Sequence, residues 1–167
     1  MNNLQSNVSI RPATIDDLPR LNEIRQAAFA PVFASFRAIL GEEIYNLAQA
    51  RDDKAQGELL SSLLAPGAGW EVYAAELESD VVGFVSIRFD RDIRVGEIGL
   101  NAVHPDYSGK GIGTRMYDFA IARMQEAGMC VATVATGDDP SHAPARRAYE
   151  KAGFTLQIPG VWLYRKL

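Results

Sequence analysis

A strand that runs into a glycine-rich loop and on into an amphipathic helix constrains this chain more than any other part of its sequence. Val95 to Val103 is rich in strand formers, His104 to Lys110 reads as loop, and Gly111 to Ala127 places Ile112, Met116, Phe119, Ala120 and Met124 on one helical face. Gly128 is a natural stop for that helix. Met129 to Thr136 then follows as an almost wholly apolar or β-branched run, the composition of a strand buried on both faces. A helix placed between two strands is a crossover connection.

The rest of the chain supplies the surrounding elements. Val8–Arg11 alternates and meets Pro12, which predicts a short strand. Asp16-Asp17 opens a helix, because carboxylates suit the positive end of the helix dipole. Leu18, Leu21, Ile24, Ala28 and Phe29 keep helical spacing, Pro31 is expected to kink or end that helix, and Gly41 breaks the apolar pattern that continues beyond it. Phe29, Phe33 and Phe36 share the spacing and are expected in the core, with a place in a pocket wall as the alternative for some of them. Glu42 to Leu64 predicts a second helical stretch, and Ala65 to Gly69 a loop. Trp70–Leu77 and Val81–Phe89 form a hairpin around Glu78-Ser79-Asp80. Ser141–Ala152 predicts a last short helix, and Phe154–Ile158 with Val161–Arg165 a final strand pair around Pro159-Gly160. The order predicts one α/β domain over residues 1–167, with a mixed, mostly antiparallel central sheet flanked by helices.

Composition excludes several classes. The net charge of −4 argues against a dedicated nucleic-acid binder, which carries a basic stripe. No run approaches 18 apolar residues, so no membrane span is expected. The first seven residues are polar and lack an apolar signal core, and the single cysteine, Cys130, allows no disulfide within the chain. These features predict a cytoplasmic protein, with Cys130 a core residue of its apolar strand.

The segment Val103–Arg115 carries the chemistry. Glycines let backbone N–H groups approach a ligand, and a helix's first turn has free donors and partial positive charge, which together suit a pyrophosphate. A triphosphate loop, G-x-x-x-x-G-K-S/T, fails because Gly111 stands where Ser or Thr is needed and His104 where the first glycine belongs. A dinucleotide fingerprint, G-x-G-x-x-G, fails because Thr114 occupies its third glycine position. The stretch resembles the acetyl-CoA loop of the GNAT superfamily of N-acetyltransferases, Arg/Gln-x-x-Gly-x-Gly/Ala after a strand. Gly111 and Gly113 match, and Ser108 stands where Arg or Gln is usual. His142–Phe154 resembles the superfamily's second CoA-contacting block, N-x-x-A-x-x-x-Y-x-x-x-G-F: Ala145, Tyr149, Gly153 and Phe154 match, and His142 replaces Asn.

The resemblance implies the acyl-CoA N-acyltransferase fold and acetyl transfer from acetyl-CoA to a primary amine, with acetyl-CoA as cosubstrate and no metal. It implies CoA contacts from Ala102, Val103, Ser108, Gly109, Lys110, Gly111, Ile112, Gly113 and Thr114, with His142 and Arg146 from the second block; Arg115 is a further phosphate candidate. Tyr149 is the implied general acid and Glu97, six residues before Val103, the implied base. A backbone N–H near Asn101–Val103 is the implied oxyanion donor, on a strand that must splay from Met129–Thr136 to admit the pantetheine arm. Strict alternation puts Glu97, Gly99, Asn101 and Val103 on one face, unless a bulge intervenes. The implied partner is a small-molecule or peptide amine, with no nucleic acid and no membrane, and a homodimer stays open as the assembly. The competing reading is a CoA-binding regulatory module without catalysis, for which Ser108 and His142 speak.

Overall fold

The computed structural model describes residues 8–167, so the reading of the first seven residues lies outside the described part. Strand β1 (Val8–Pro12) pairs antiparallel with β2 (Trp70–Leu77), β2 with β3 (Asp80–Asp90), and β3 with β4 (Val95–Val103). Strand β5 (Val131–Val134) joins the far side of β4 in parallel, giving the order β1-β2-β3-β4-β5. Helix α3 (Ile112–Glu126) is the crossover between the two parallel strands. Helices α1 (Leu18–Ala48) and α2 (Ala50–Leu64) precede β2, and α4 (Ala143–Lys151) follows β5. This is the mixed, mostly antiparallel sheet flanked by helices that the sequence predicts.

Alternation along the strands builds a core on each face of the sheet. Val85, Ile87 and Ile98 pack with Met116, Ala120 and Met124 of α3. Phe84, Val72 and Ala102 pack on the other face with Leu21 and Ile24 of α1 and Leu60 of α2. Each such buried Val, Leu, Ile, Phe or Met side chain stabilises the fold by about 1.5–3 kcal/mol. Among the described residues no helix is long and apolar enough to cross a membrane.

Four expectations need correction. Pro31 neither ends nor breaks α1, which runs through it; the break comes at Gly41, whose φ of 73° and ψ of 158° turn the chain. A proline costs a helix one hydrogen bond, whereas a residue at positive φ leaves the helical region altogether. The phenylalanines at 29, 33 and 36 are half-buried; Phe29 packs against the core and also lines the larger cavity, whereas Phe33 and Phe36 line a smaller one. Strand β5 is half-exposed, with Val131 and Thr133 open on one face, and Cys130 beside it is exposed rather than buried. Phe154–Ile158 and Val161–Arg165 do not pair and form no strand; apart from Phe154, which packs against the core, both runs are exposed. The residues between them explain why. A two-residue hairpin turn needs positive φ at its first position, and proline is locked near −65°. The β2–β3 hairpin meets that need with Glu78 at φ 53° and Ser79 at φ 75°, and Pro159 cannot.

An ion-pair cluster ties β1 to the entrance of α1. The Arg11 guanidinium reaches Asp17 at 2.8 Å and Glu76 of β2 at 2.7 Å, and Asp17 also accepts the Thr14 N–H at 2.8 Å. Hydrogen bonding from Arg11, foremost, holds the Asp17 carboxyl down at about 2, against the partial desolvation that works the other way. A carboxyl with a depressed native pKa adds stability that is fully present above its unfolded value of 3.8 and disappears as pH falls through about 2. Arg11 is partly solvent-exposed, so screening limits the contribution to about 1–2 kcal/mol. Asp17→Asn is expected to lose about that much in urea unfolding at pH 7, with the difference from the unsubstituted chain shrinking between pH 4 and pH 2.

Candidate active site

The site begins with an irregularity in β4. Two steps along β3, from Val85 to Ile87, oppose three along β4, from Asn101 to Ile98. The extra residue bends β4 at Gly99 and Leu100 and overrides strict alternation between Glu97 and Val103. Glycine is required at the bend, because an ideal Cβ on Gly99 would overlap the Trp70 ring and come within 2.8 Å of the Ser86 hydroxyl. Pairing with β5 stops at the same place: Val95 to Ile98 match Val131 to Val134, and Gly99 to Val103 have no partner strand on that side. The two parallel strands therefore splay apart.

A cavity of about 1080 Å³ fills the splay and continues down to the start of α3. Its walls include Glu97 to Val103 of β4, Ala135 and Thr136 beyond β5, and Tyr107 to Gly109 with Gly111 to Thr114 below. Gly109 and Gly111 sit at φ 76° and 79°, and Gly111 caps α3 in the left-handed conformation. The first helical hydrogen bond runs from Arg115 N–H to the Gly111 carbonyl at 3.0 Å. Helix geometry thus leaves the N–H groups of Ile112, Gly113 and Thr114 without an acceptor in their own helix, and no side chain caps them. Donors at the positive end of a 15-residue helix form a site suited to phosphate.

Beside these donors lies a buried polar network. The Asn101 amide donates to the Gly99 carbonyl at 2.8 Å and to the Tyr149 hydroxyl at 3.1 Å. Tyr117 donates to the Asn101 amide oxygen at 2.9 Å, and the two tyrosine rings lie 4.7 Å apart. Burial pushes both phenols above their ordinary value of 10.0, and hydrogen bonds from Asn101 and Tyr117 pull Tyr149 partly back. Tyr149 therefore keeps its proton at neutral pH, with its oxygen held by Asn101.

The structure brings most of the sequence-predicted residues to this cavity. Glu97, Ala102, Val103, Ser108, Gly109, Gly111, Ile112, Gly113, Thr114, His142 and Tyr149 all line it. Three candidates do not. Lys110 places its ammonium 4.8 Å from the centre of the Tyr107 ring, and Arg115 is exposed on α3. Arg146 donates to the carbonyls of Gly137 and Asp139 at 2.6 and 2.9 Å and braces the loop before α4. Glu97 stands opposite Arg88 of β3 and forms an ion pair with it at the half-exposed rim. His142 is paired through Nδ1 with Asp139, which also accepts from Ser141 and, at 3.1 Å, from Ser35 of α1. Burial works against ionisation of Asp139, yet the hydrogen bonds from Ser141 and His142 hold its carboxyl at about 2.

Sequence reasoning named Asn101 only for its backbone and its face of the strand, not for its side chain, and missed Tyr117 and Arg147; all three line the cavity. Asn101 was legible as a lone amide in an apolar strand, and Tyr117 lies one turn after Gly113 on the same helical face. Arg147 carried no signal beyond being a second cation next to Arg146.

Comparison with known proteins follows the same geometry. A family model, the acetyltransferase (GNAT) family, matches residues 33–154, well over half of the chain. No curated protein sequence matches. Among solved structures, a PaiA N-acetyltransferase from Thermoplasma acidophilum in complex with coenzyme A superposes with a TM-score of 0.67 at 20% identity, covering 90% of this chain and 91% of that one. A GNAT family acetyltransferase from Brucella melitensis in complex with acetyl-CoA gives 0.59 at 22% identity, covering 84% and 80%. An aminoglycoside acetyltransferase from an uncultured soil metagenomic sample, in complex with sisomicin, gives 0.60 at 19% identity and covers 99% of both chains. At these identities the likeness is one of fold.

The Gly111 backbone generates a prediction about stability. Space around its absent Cβ is open, so a substitution there costs only the positive-φ penalty. Gly111→Ala is expected to fold and to lose about 1–2 kcal/mol in urea unfolding. A loss several times larger would mean that the loop is packed more tightly than it is here.

Proposed function

Because this chain belongs to the acetyltransferase (GNAT) family, we propose that it moves an acetyl group from acetyl-CoA to a primary amine by direct attack. The observation that carries this reading is the splay between β4 and β5, which opens onto the free N–H groups at the start of α3 and has the Tyr149 hydroxyl in its wall. The donor set fits the group: three backbone N–H groups suit a diphosphate, and a slot between two strands suits an extended pantetheine arm. When bound, acetyl-CoA supplies an acetyl carbonyl activated by its thioester link.

The chain's own residues divide the remaining tasks. In this proposal Ser108 to Thr114 hold the diphosphate, and the unpaired backbone N–H groups of β4 near Asn101–Val103 face the oxygen that gains charge. Glu97 takes a proton from the incoming ammonium, directly or through water, since only a neutral amine has a lone pair to donate. Tyr149 gives its proton to the departing sulfur, and Asn101 and Tyr117 position it. No side chain needs to become a covalent intermediate.

A second cavity of about 490 Å³ adjoins the first and shares Val32, Leu59 and His142 with it. Asp52 and Asp53 stand on its wall beside Phe33, Phe36 and Trp162. Carboxylates next to aromatic faces attract a cation, which supports a cationic small molecule or peptide amine as acceptor. The cytoplasm, where acetyl-CoA chemistry is at home, is the proposed compartment.

Three measurements test this reading. Calorimetry is expected to show saturable acetyl-CoA binding that Gly111→Asp abolishes, because a carboxylate would repel the diphosphate; unimpaired binding by that variant would displace the site. With an amine found by screening polyamines, aminoglycosides, amino acids and peptide N-termini, Tyr149→Phe should lower turnover about 10²-fold with little change in the KM for acetyl-CoA. Full turnover would return Tyr149 to packing, and binding without any turnover would favour the regulatory module. Finally, Glu97→Gln should lose rate mainly where the acceptor is protonated and recover as pH rises. Loss of the Tyr149 proton should not limit the rate below about pH 10, since burial moves that phenol upward from 10.0. A pH–rate profile unchanged by Glu97→Gln would remove Glu97 from the reaction.

A further inference from the structure

The two cavities meet at one ionisable side chain. Of the three residues they share, Val32 and Leu59 are aliphatic, and His142 alone can bind a proton. Its Nδ1 is paired with the Asp139 carboxylate, and among the described residues Nε2 makes no hydrogen bond. The ring does not cap α4 either, since no side-chain hydrogen bond closes that helix start. It lies 6.0 Å from the Phe36 ring, centre to centre, and keeps 18% of its side-chain surface open.

The surroundings hold the ring in one orientation. Asp139 Oδ1 accepts the Ser141 N–H at 3.0 Å and the Ser35 hydroxyl at 3.1 Å, which leaves Oδ2 for the imidazole. Gly137 gives the pair its room: an ideal Cβ there would lie 2.5 Å from His142 Nδ1 and 2.8 Å from Asp139 Oδ2. Arg146 fixes the same loop through the carbonyls of Gly137 and Asp139. A carboxylate on Nδ1 keeps the proton there, leaves the Nε2 lone pair free and balances the charge the ring gains when Nε2 binds a proton. CoA contact, the role the resemblance implies, needs none of this, because asparagine is the usual residue at that position.

We propose that His142, oriented by Asp139, takes the second of the two protons that the acceptor nitrogen must lose, a step that rests on the acetyl transfer proposed above. An acceptor whose body fills the second cavity reaches the larger one past this ring, which is the placement the step needs. Glu97 accounts for the first proton and so frees the lone pair. The nitrogen then bonds to the acetyl carbon and is left with a positive charge and one hydrogen too many. Thiols and primary amines differ little in basicity, with ordinary pKa values of about 8.5 and 10.4, so at this stage nitrogen is expelled as readily as sulfur. Transfer of its proton to Nε2 closes that exit. The C–S bond breaks, Tyr149 protonates the sulfur, and the amide remains. The imidazolium returns its proton to the Tyr149 oxygen, and the one on Glu97 passes to solvent. Each amide formed from an ammonium thus releases one proton.

Asparagine in place of His142 keeps a polar side chain for CoA contact and lacks a base. His142→Asn is expected to fold by circular dichroism, to bind acetyl-CoA in calorimetry as the unsubstituted chain does, and to lose about 10²-fold in kcat; His142→Gln does the same where His142→Asn does not fold. Asp139→Asn should lower kcat in the unsubstituted chain and have no further effect on His142→Asn, the pattern of two residues that act as one unit. Nitrogen-15 NMR of the ligand-free chain in alkaline buffer gives a readout independent of turnover. Of the two histidines in the sequence, the one whose signals vanish in the His142 variant should carry its proton on Nδ1 and none on Nε2. Additive losses from the two substitutions, or a proton on Nε2, overturn the proposal. Turnover that His142→Asn leaves intact overturns this step alone. An unsubstituted chain that binds acetyl-CoA and transfers nothing overturns the acetyl-transfer reading and this step with it.

Discussion

The separation of β4 from β5 beyond Ile98 and Val134 is the constraint on which the rest of the structure depends. A parallel pair normally continues its ladder, and each lost bond forfeits about 0.5–1.5 kcal/mol. Here the extra residue in β4 makes continuation impossible, and neighbouring groups offset part of the loss. The Asn101 amide satisfies the Gly99 carbonyl, and the Ser86 hydroxyl donates to the Leu100 carbonyl at 2.9 Å. The bend needs glycine at 99 because Trp70 occupies the space a side chain would take. One bulge thus creates the slot, exposes the backbone of β4 to it, and sets Asn101 where it can hold Tyr149.

The polarity of the cavity is arranged in depth. Its inner part is neutral, with Asn101, Tyr117 and Tyr149 satisfying one another in a buried setting where an unpaired charge would be costly. Its lower end offers partial positive charge from the first turn of α3, and its rim carries the ion-paired Glu97. That gradient matches the proposed chemistry, in which an anionic diphosphate sits at the helix, an uncharged thioester crosses the interior, and a cationic amine arrives from the rim. Asp139 links the two sides. It binds Ser35 of α1 as well as Ser141 and His142 at the start of α4, so the helix that lines the second cavity is tied to the helix that carries Tyr149.

Much of this was readable before any coordinates. The bounds of β2 and β4, the crossover helix, the glycine loop and the block around Tyr149 follow from local rules: alternation, helical spacing, capping glycines and the resemblance built on Gly111, Gly113, Ala145, Tyr149, Gly153 and Phe154. Those rules act over a few residues, so a single sequence displays them. Lys110 and Arg146 show where such reasoning stops. Both are cations in the right segments, but one rests on Tyr107 and the other on two carbonyls, because a long side chain takes whatever partner the packed chain brings within reach.

The sequence by itself determined the order of elements as far as α4, the family and the position of the glycine loop, since each depends on neighbours along the chain. Only the tertiary structure decided the place of the β4 bulge and its coincidence with the end of the β5 ladder. It alone joined Asn101, Tyr117 and Tyr149 from three elements into one network. It also decided that Cys130 and the C-terminal runs stay exposed. Their apolar composition was plain, but burial depends on whether another segment arrives to cover them, and a turn that proline cannot make keeps the nearest segment away.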